Sequence, residues 1–437
     1  MINDTIVAIS SGYGISAISV IRISGPLTTE IIKRIFKRNL RERYAHYLKL
    51  YNSEGKVIDD VIAIYYKSPK SYTGEDMLEI FCHGGLVIPK LIVKEIIKIG
   101  ARQAEPGEFT KRAFLNNKLD LIQSRTINEI INAKNENAIY SLRNRLEGFL
   151  SKKLEDLRES LLDLLKEIEA RIDFEEDVPE ISKEEVFEKL EDILNNFEVL
   201  INNAGSIEKI SEGISVVIIG KANVGKSSIF NKLLGYERAI VSEIPGTTRD
   251  YISEYITING VLFKLIDTAG IREAYDLIEK IGIERSLNLS KFSDIVLFVL
   301  SADNIENFEL ELLKKVPEDR LILVVNKCEI KKPKIEGYNP IYLSVHQDIG
   351  FDELKSALYN KAISEISADY YFSKDEFELL QYAYDRLKEV KNLIYEPLDI
   401  ISHQIRIAVN SISKILGIED LPEEILNRVF RDFCIGK

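Results

Sequence analysis

The sequence is poor in the features that staple, anchor or export a protein. Its 437 residues include only three cysteines, Cys82, Cys328 and Cys434, far apart and without a C-x-x-C pair. That argues against a disulfide framework or a zinc site and points to a reducing compartment, the cytoplasm. Long apolar runs are missing too: stretches such as Ile295 to Leu300 fall far short of the ~20 residues that cross a bilayer. No basic segment followed by an apolar one opens the chain, so nothing marks it for export. The four histidines (His46, His83, His346, His403) are scattered, which favours core or surface roles over metal ligation. Internal repeats and low-complexity segments are absent. The terminal Cys434-Ile-Gly-Lys437 matches a prenylation box only superficially, because Gly436 is not aliphatic and Lys437 is an atypical last residue.

What is present is an ordinary globular composition, 45% hydrophobic and 29% charged, in a chain long enough for two to four domains. Net charge is -12 but unevenly spread. Residues 1–117 carry 17 Lys and Arg against 12 Asp and Glu, a surplus of +5, whereas the remainder carries 41 against 58. A mildly basic front can attract an anionic ligand or an RNA backbone, or simply be a solvated surface, and no interleaving of aromatic and basic residues marks an RNA-stacking platform.

The pattern divides the chain. Residues 1–117 mix β-branched runs (Ile15 to Ile23, Val61 to Tyr66, Leu78 to Cys82) with helical segments at Thr28 to Phe36 and Val87 to Ile99, a small α+β domain. From 118 to 212 the spacing is helical: apolar residues from Leu142 to Ile168 recur every three or four positions, as one long amphipathic helix or hairpin, and a second helix runs from Ser182 to about Asn203. Residues 213–366 alternate strand and helix as a doubly wound α/β domain, with a hairpin turning at Asn259-Gly260. Residues 367–437 are helical again, and the simplest arrangement folds them against the earlier helices, making the α/β domain an insertion.

Gly220-Lys-Ala-Asn-Val-Gly-Lys-Ser227 follows a β-branched strand and precedes the amphipathic Ser228 to Leu234, the setting of a phosphate-binding loop. Its glycines let consecutive N–H groups and the helix N-terminus face phosphates. Lys226 is then the residue bridging the β- and γ-phosphates, and Ser227 the magnesium ligand. Asp267-Thr268-Ala269-Gly270 ends a second strand, placing Asp267 near the metal and the Gly270 N–H near the γ-phosphate. Asn326-Lys327-Cys-Glu329 ends a third. Guanine-specific proteins end this motif in aspartate; Glu329 keeps the carboxylate that accepts two guanine N–H groups and faces an acceptor nitrogen in adenine. Ile271 stands where Ras-like enzymes place a water-orienting glutamine, so another group must position water and another cation must replace an arginine finger.

With Pro245-Gly-Thr-Thr-Arg-Asp250, Asp267 to Glu273, Ile281 to Arg285 and Phe433 to Lys437, the chain resembles the MnmE (TrmE) family of tRNA-modification GTPases along its whole length. Asp4 to Val7, Arg22 to Gly25, Ser71 to Asp76, Gly84-Gly85, Pro106 to Phe109 and Arg112 to Asn116 resemble the family's front domain. The resemblance implies a folate-binding, dimer-forming front domain, a discontinuous helical domain and an inserted GTPase domain. It implies a homodimer that joins an FAD-dependent partner of the MnmG/GidA family in a heterotetramer. FAD sits on that partner only, and the pair adds a carboxymethylaminomethyl or aminomethyl group to carbon 5 of the wobble uridine of certain tRNAs. A folate such as 5-formyltetrahydrofolate supplies the one-carbon unit, held near Arg22, Glu79, Lys118 and Lys437, with Cys434 a possible thiol beside it.

By position, the resemblance makes Asn223, Ser242, Ile244 and Thr247 the ligands of K+, Ser227 and Thr248 those of Mg2+, and Glu279 the residue that orients water. It extends the nucleotide contacts to Val224, Gly225, Ser228, Glu243, Pro245, Gly246, Ser344, Val345 and His346. The chain departs from the family at Ser10 to Ser16, which replaces a Pro-Gly-Arg-Gly-Gly-like stretch, and at Ser344-Val-His346, which replaces a Ser-Ala-Lys-like one. A ribosome-assembly GTPase also carries Gly-Thr-Thr-Arg-Asp, but no KH-type G-X-X-G appendage is found. A dynamin-type membrane GTPase lacks its insertion segment here.

Overall fold

The computed structural model describes residues 4–12, 14–173, 183–237, 253–267, 293–393, 397–418, 423–431 and 433–436. The front of the chain forms β1 (Ile6–Ile9), β2 (Ile18–Ser24), α1 (Thr28–Phe36), β3 (His46–Tyr51), β4 (Val57–Tyr66), β5 (Met77–His83), α2 (Ile88–Lys98), β6 (Arg102–Gln103) and α3 (Glu108–Leu115). The sheet runs β3-β4-β5-β2-β1-β6 and is antiparallel apart from the β1–β6 pair. Strict alternation turns Ile21, Ile23, Val61, Ala63, Leu78 and Ile80 inward, where they pack with Ile31, Ile35, Ile92 and Ile96 of the two helices. The opposite face carries a cross-strand row, Tyr47, Ile62, Phe81 and Val20, followed by Glu79 opposite Arg22. The expected strand from Ile15 begins only at Ile18, and Ile15 is exposed.

Four helices follow: α4 (Leu121–Asn132), α5 (Glu136–Leu146), α6 (Phe149–Asp173) and α7 (Lys183–Asn202). The expected single helix or hairpin is thus broken twice. Asn135 caps α5 by accepting from the Ala138 N–H at 2.9 Å, which starts a new helix where the apolar spacing alone shows none. Next come β7 (Ala204–Ser206), α8 (Ile207–Glu212), β8 (Ile214–Ile219), α9 (Lys226–Glu237), β9 (Ser253–Ile258), β10 (Val261–Asp267), β11 (Ile295–Ser301), α10 (Asn307–Leu313), β12 (Leu321–Asn326), β13 (Ile341–Tyr342), α11 (Phe351–Ile366) and β14 (Tyr370–Phe372). The chain continues in α12 (Lys374–Val390), α13 (Leu398–Leu416) and α14 (Glu423–Arg431).

The second large sheet runs β13-β12-β11-β8-β10-β9, parallel except for β9. Its strands are apolar on both faces because helices cover both: Ile218, Phe263 and Val299 pack with Ile229 and Leu354 on one side, and Val217, Phe298 and Val325 with Leu312 and Leu313 on the other. β8 is where the strand order reverses, so the crevice beyond its carboxyl end is where a ligand belongs.

Packing divides the chain into two compact units, residues 1–128, 145–193 and 382–437, and residues 129–144 and 194–381. In the first, the buried stripe Leu150, Leu154, Leu157, Leu161 and Leu164 runs along α6. The side chains of α13 meet α6 through Arg158 to Ser413 at 2.7 Å and Arg406 to Glu169 at 2.9 Å. In the second, β7 and β14 pair in parallel, joining the chain just before the α/β core to the chain just after it.

Candidate functional site

Between β8 and α9 the backbone adopts three left-handed conformations: Gly220 at φ 150°, Asn223 at φ 65° and Gly225 at φ 101°. Two of these positions also exclude a side chain. A Cβ on Gly220 would lie 2.3 Å from the Val299 carbonyl, and one on Gly225 would lie 2.2 Å from Asn326 Nδ2. The loop is therefore shaped by β11 and β12 beneath it, and its N–H groups turn toward the helix N-terminus. Lys226 arches back over the loop, donating from Nζ to the Gly220 carbonyl at 2.8 Å and the Lys221 carbonyl at 2.7 Å. Val224 is buried, Asn223, Ser227 and Ser228 are exposed, and the two serines open the first turn of α9.

The third motif is tied directly to the first. Buried Asn326 ends β12 and donates from Nδ2 to the Val224 carbonyl at 2.9 Å, so the end of β12 braces the loop between β8 and α9. Lys327 follows in a left-handed turn, φ 61°, and pairs with Asp303 at 2.9 Å. The Cys328 N–H donates to the Leu343 carbonyl at 2.9 Å, bringing Ser344, Val345 and His346 alongside. Ser344 is fully buried, Val345 half-buried and His346 exposed. Glu329 is exposed, and the Ser344 hydroxyl beside it holds its carboxyl below the usual range, so it stays an anionic acceptor near neutral pH. Asp267 closes β10 opposite Ile218 of β8, which sets its backbone next to the loop.

A sizeable cavity lies elsewhere. About 830 Å³ opens at the amino-terminal end of the same sheet, lined by Ser206, Lys209, Ser215, Lys264, Asp294 and Phe372. β8 begins at this cavity and runs away from it toward the P-loop, so the two lie at opposite ends of the sheet.

A second constellation lies on the front sheet. Arg22 donates to Glu79 Oε1 from Nε at 3.0 Å and from Nη2 at 2.8 Å, while Tyr66 Oη reaches Glu79 Oε2 at 3.4 Å. The guanidinium also stands 5.1 Å from the Tyr72 ring centre and 5.6 Å from that of Phe109. The carboxyl-terminal tail comes to this pair. Ile435 bridges to Pro106, the Gly107 N–H donates to the Cys434 carbonyl at 3.4 Å, and the Gly436 carbonyl accepts from Arg22 Nη1 at 3.5 Å. A Cβ on Gly436 would sit 2.6 Å from the Ile9 carbonyl, so only glycine lets the tail lie this close.

The stretches of chain that carry both constellations match known proteins. The model of the "GTP-binding protein TrmE N-terminus" matches residues 5–118, and that of the "MnmE helical domain" matches residues 121–434. The tRNA modification GTPase MnmE of Aquifex aeolicus is 42% identical over 447 residues, covering 99% of this chain and 100% of that protein. Its counterpart in Fervidobacterium nodosum is 39% identical over 450 residues, covering 99% and 98%. The chain belongs to the MnmE family. As a member of the MnmE family it is a GTP hydrolase of the tRNA-modification class. Among solved structures, the G domain of the T. maritima FeoB iron transporter is 26% identical and covers 34% of this chain and 98% of its own, at a TM-score of 0.26.

Of the residues expected to form the MnmE-family site, Asn223, Val224, Gly225, Lys226, Ser227, Ser228, Asn326, Lys327, Glu329 and Ser344 to His346 are brought to the carboxyl end of the sheet. Ser242, Glu243, Ile244, Pro245, Gly246, Thr247, Thr248, Thr268, Ala269, Gly270 and Glu279 lie outside the described residues, as does Lys437. On the front sheet Arg22 and Glu79 are joined. Lys118 is exposed and lies against Gly74 in the 71–76 loop, with no hydrogen bond or ion pair to either among the described residues. Cys434 is exposed and reduced.

Sequence reasoning missed what anchors that loop. Arg112 is fully buried and holds Asp4 at 2.7 Å, Glu108 at 2.9 Å and Glu75 at 3.1 Å, while Arg102 pairs with both Asp4 and Glu108. Arg112 and Glu108, four residues apart on α3, face the same way, and that spacing was the available signal.

Proposed function

We propose that the chain is a potassium-assisted GTPase that acts with an FAD-dependent partner of the MnmG/GidA family. Together they add a carboxymethylaminomethyl or aminomethyl group to carbon 5 of the wobble uridine of certain tRNAs in the cytoplasm. The observation that carries this reading is the bracing of the P-loop by Asn326 within a chain that matches curated tRNA modification GTPases from end to end.

In this reading Lys226 would hold the β- and γ-phosphates, and Ser227, with Thr248, would hold Mg2+, which when bound would supply charge neutralisation to phosphoryl transfer. The exposed serine on the first turn of α9 and the nearby end of β10 at Asp267 suit that role. Asn223 supplies a side-chain oxygen to K+ beside Ser242, Ile244 and Thr247. Its left-handed backbone and exposed amide, which makes no hydrogen bond among the described residues, support that assignment. Glu279 orients the attacking water and the Gly270 N–H meets the γ-phosphate. Glu329, kept anionic, reads guanine.

Arg22, Glu79, Lys118 and Lys437 hold the folate that provides the one-carbon unit. A guanidinium already fixed by a carboxylate and flanked by two aromatic rings fits a flat, acidic ligand of this kind. Assembly as a homodimer through the front domain is consistent with exposed Leu86, Val87 and Leu91 at the start of α2.

Nucleoside analysis of tRNA from a deletion strain tests the reaction, and an unchanged wobble uridine overturns it. Hydrolysis measured in matched sodium and potassium buffers tests the cation; equal rates exclude it. Displacement of bound GTP by ATP tests Glu329, with equal displacement refuting guanine selectivity.

A further inference from the structure

The positive surplus of the front domain is not spread over its surface. Residues 33–43 contain Lys33, Arg34, Lys37, Arg38, Arg41 and Arg43 against the single acid Glu42, a net +5 that equals the surplus of all 117 residues. The six side chains are exposed. Arg34 pairs with Glu30, but Lys33, Lys37, Arg38 and Arg41 make no ion pair among the described residues. Lys37 lies 4.0 Å from the Tyr51 ring centre and Arg41 6.0 Å from that of Tyr44, whose ring packs edge-on against His46. Cations and aromatic faces thus alternate along this edge of the sheet, correcting the expectation that the sequence holds no such interleaving.

The stretch has a direction. After α1 it runs to the end of β4, where Glu42 bridges to Tyr65 and the Arg43 N–H donates to the Tyr65 carbonyl at 2.8 Å. Arg43 Nη2 also donates to the Lys70 carbonyl at 2.8 Å, which adds Lys70 and nearby Lys67 to the same edge. The next residue of β4, Tyr66, reaches Glu79, and Glu79 holds Arg22. A continuous line of contacts therefore leads from the basic edge to the Arg22–Glu79 pair. On the same outward face Tyr47 is 75% exposed, three strands from Val20 in a single row, or about 14 Å at the usual strand spacing.

We infer that the edge formed by Lys33, Lys37, Arg38, Arg41 and Arg43, with Tyr44 and Tyr47, is the surface on which tRNA docks. The phosphates of a hairpin stem run along the cations, and an unpaired base stacks on an exposed tyrosine while its neighbour reaches Arg22. This rests on the reading of the chain as a tRNA-modifying enzyme. Recognition of unpaired loop bases by stacking, combined with backbone neutralisation, is the common mode for RNA. A lone solvated charge run needs neither the aromatic faces nor the lead toward Arg22. An anionic membrane would suit the cations, but the line of contacts leads from them to a half-buried ion pair that a flat bilayer does not reach.

The test is tRNA binding by the full chain across a salt series, comparing wild type with Arg38→Gln/Arg41→Gln, with Tyr47→Ala, and with Lys152→Gln/Lys153→Gln on exposed α6 as a charge-matched control. The expected result is a log–log salt slope shallower by about 1.4 to 1.8 for the Arg38/Arg41 pair and unchanged for the control. Tyr47→Ala weakens binding roughly tenfold or more at fixed salt with the slope unchanged. GTP hydrolysis and the circular dichroism spectrum stay as in wild type throughout. If wild type binds tRNA and both charge pairs shift the slope alike, or neither does, docking at this edge is wrong while the tRNA reading stands. If wild type binds no tRNA, that reading fails and docking falls with it. Binding of phosphatidylserine vesicles that the Arg38/Arg41 pair abolishes, with tRNA binding intact, overturns the inference in favour of a membrane.

Discussion

The P-loop and the Arg22–Glu79 pair are built differently, one of backbone and the other of side chains. The P-loop holds its shape because Gly220 and Gly225 leave no room above Val299 and Asn326, and the groups that face phosphate are fixed N–H dipoles. The front pair presents a guanidinium held by a carboxylate and flanked by two aromatic rings, with a tyrosine hydroxyl on the carboxylate. The first arrangement tolerates almost no change in shape; the second should tolerate shape and fail on charge.

That contrast can be broken at its strongest point first. Lys226→Ala removes the ammonium proposed to hold the phosphates, along with its two bonds to the Gly220 and Lys221 carbonyls, so GTP turnover should fall about 100- to 1,000-fold. A fall of less than tenfold would mean that the backbone alone carries phosphate. Gly225→Ala makes the complementary change, adding one carbon where 2.2 Å is available at φ 101°. It should cost ~1–3 kcal/mol in strain and push Asn326 away, weakening GTP binding by about 10- to 100-fold in equilibrium titration.

On the front sheet, Glu79→Gln leaves a half-buried Arg22 without its counter-charge and should lower domain stability by ~1–3 kcal/mol. Adding Arg22→Met should recover part of that loss, and a strictly additive double-mutant cycle would show that the pair is not coupled.

Acid separates the regions more gently. Burial pushes the Glu108 carboxyl up, but hydrogen bonds from Arg102, the Glu105 N–H and Arg112 outweigh it and hold the group below 4.5; Asp4 is likewise lowered against burial by Arg102 and Arg112. A carboxylate whose folded pKa is depressed stabilises above its unfolded value, and that contribution is lost as pH falls through the folded one. Thermal stability of the front domain should therefore hold from neutral pH to about pH 5 and decline below 4.5, and Glu108→Gln should flatten the decline. The smallest effect belongs to the other unit, where Asn137 Nδ2 donates to the Gly260 carbonyl at 2.8 Å and Lys134 Nζ to Tyr255 Oη at 3.0 Å, both on the hairpin next to the nucleotide strands. Asn137→Ala should cost ~0.5–1.5 kcal/mol by denaturant titration.

The same contrast explains what the amino-acid string discloses. A backbone-built site announces itself, because a left-handed turn under a strand demands glycine at set intervals: Gly220, Gly225 and Lys226 are read at sight, and α1 and α13 end where their apolar spacing ends. A side-chain-built site does not. Arg22 and Gly436 are 414 positions apart, and no local rule joins them; family resemblance, not periodicity, drew attention to the tail. Arg112 looks like a surface arginine until three carboxylates enclose it. The break between α5 and α6 was hidden because the apolar stripe from Leu142 to Ile168 continues across it. β7 and β14, three residues each, are too short for alternation to register, and their pairing depends on partners on either side of the α/β core.

Those two short strands have a topological meaning. They run parallel, with Ala204 beside Tyr370 and Ser206 beside Phe372. The chain leaves for the α/β core from the end of β7 and returns from it at the start of β14, at opposite ends of the ribbon, so one short ladder closes the loop that the whole α/β segment makes.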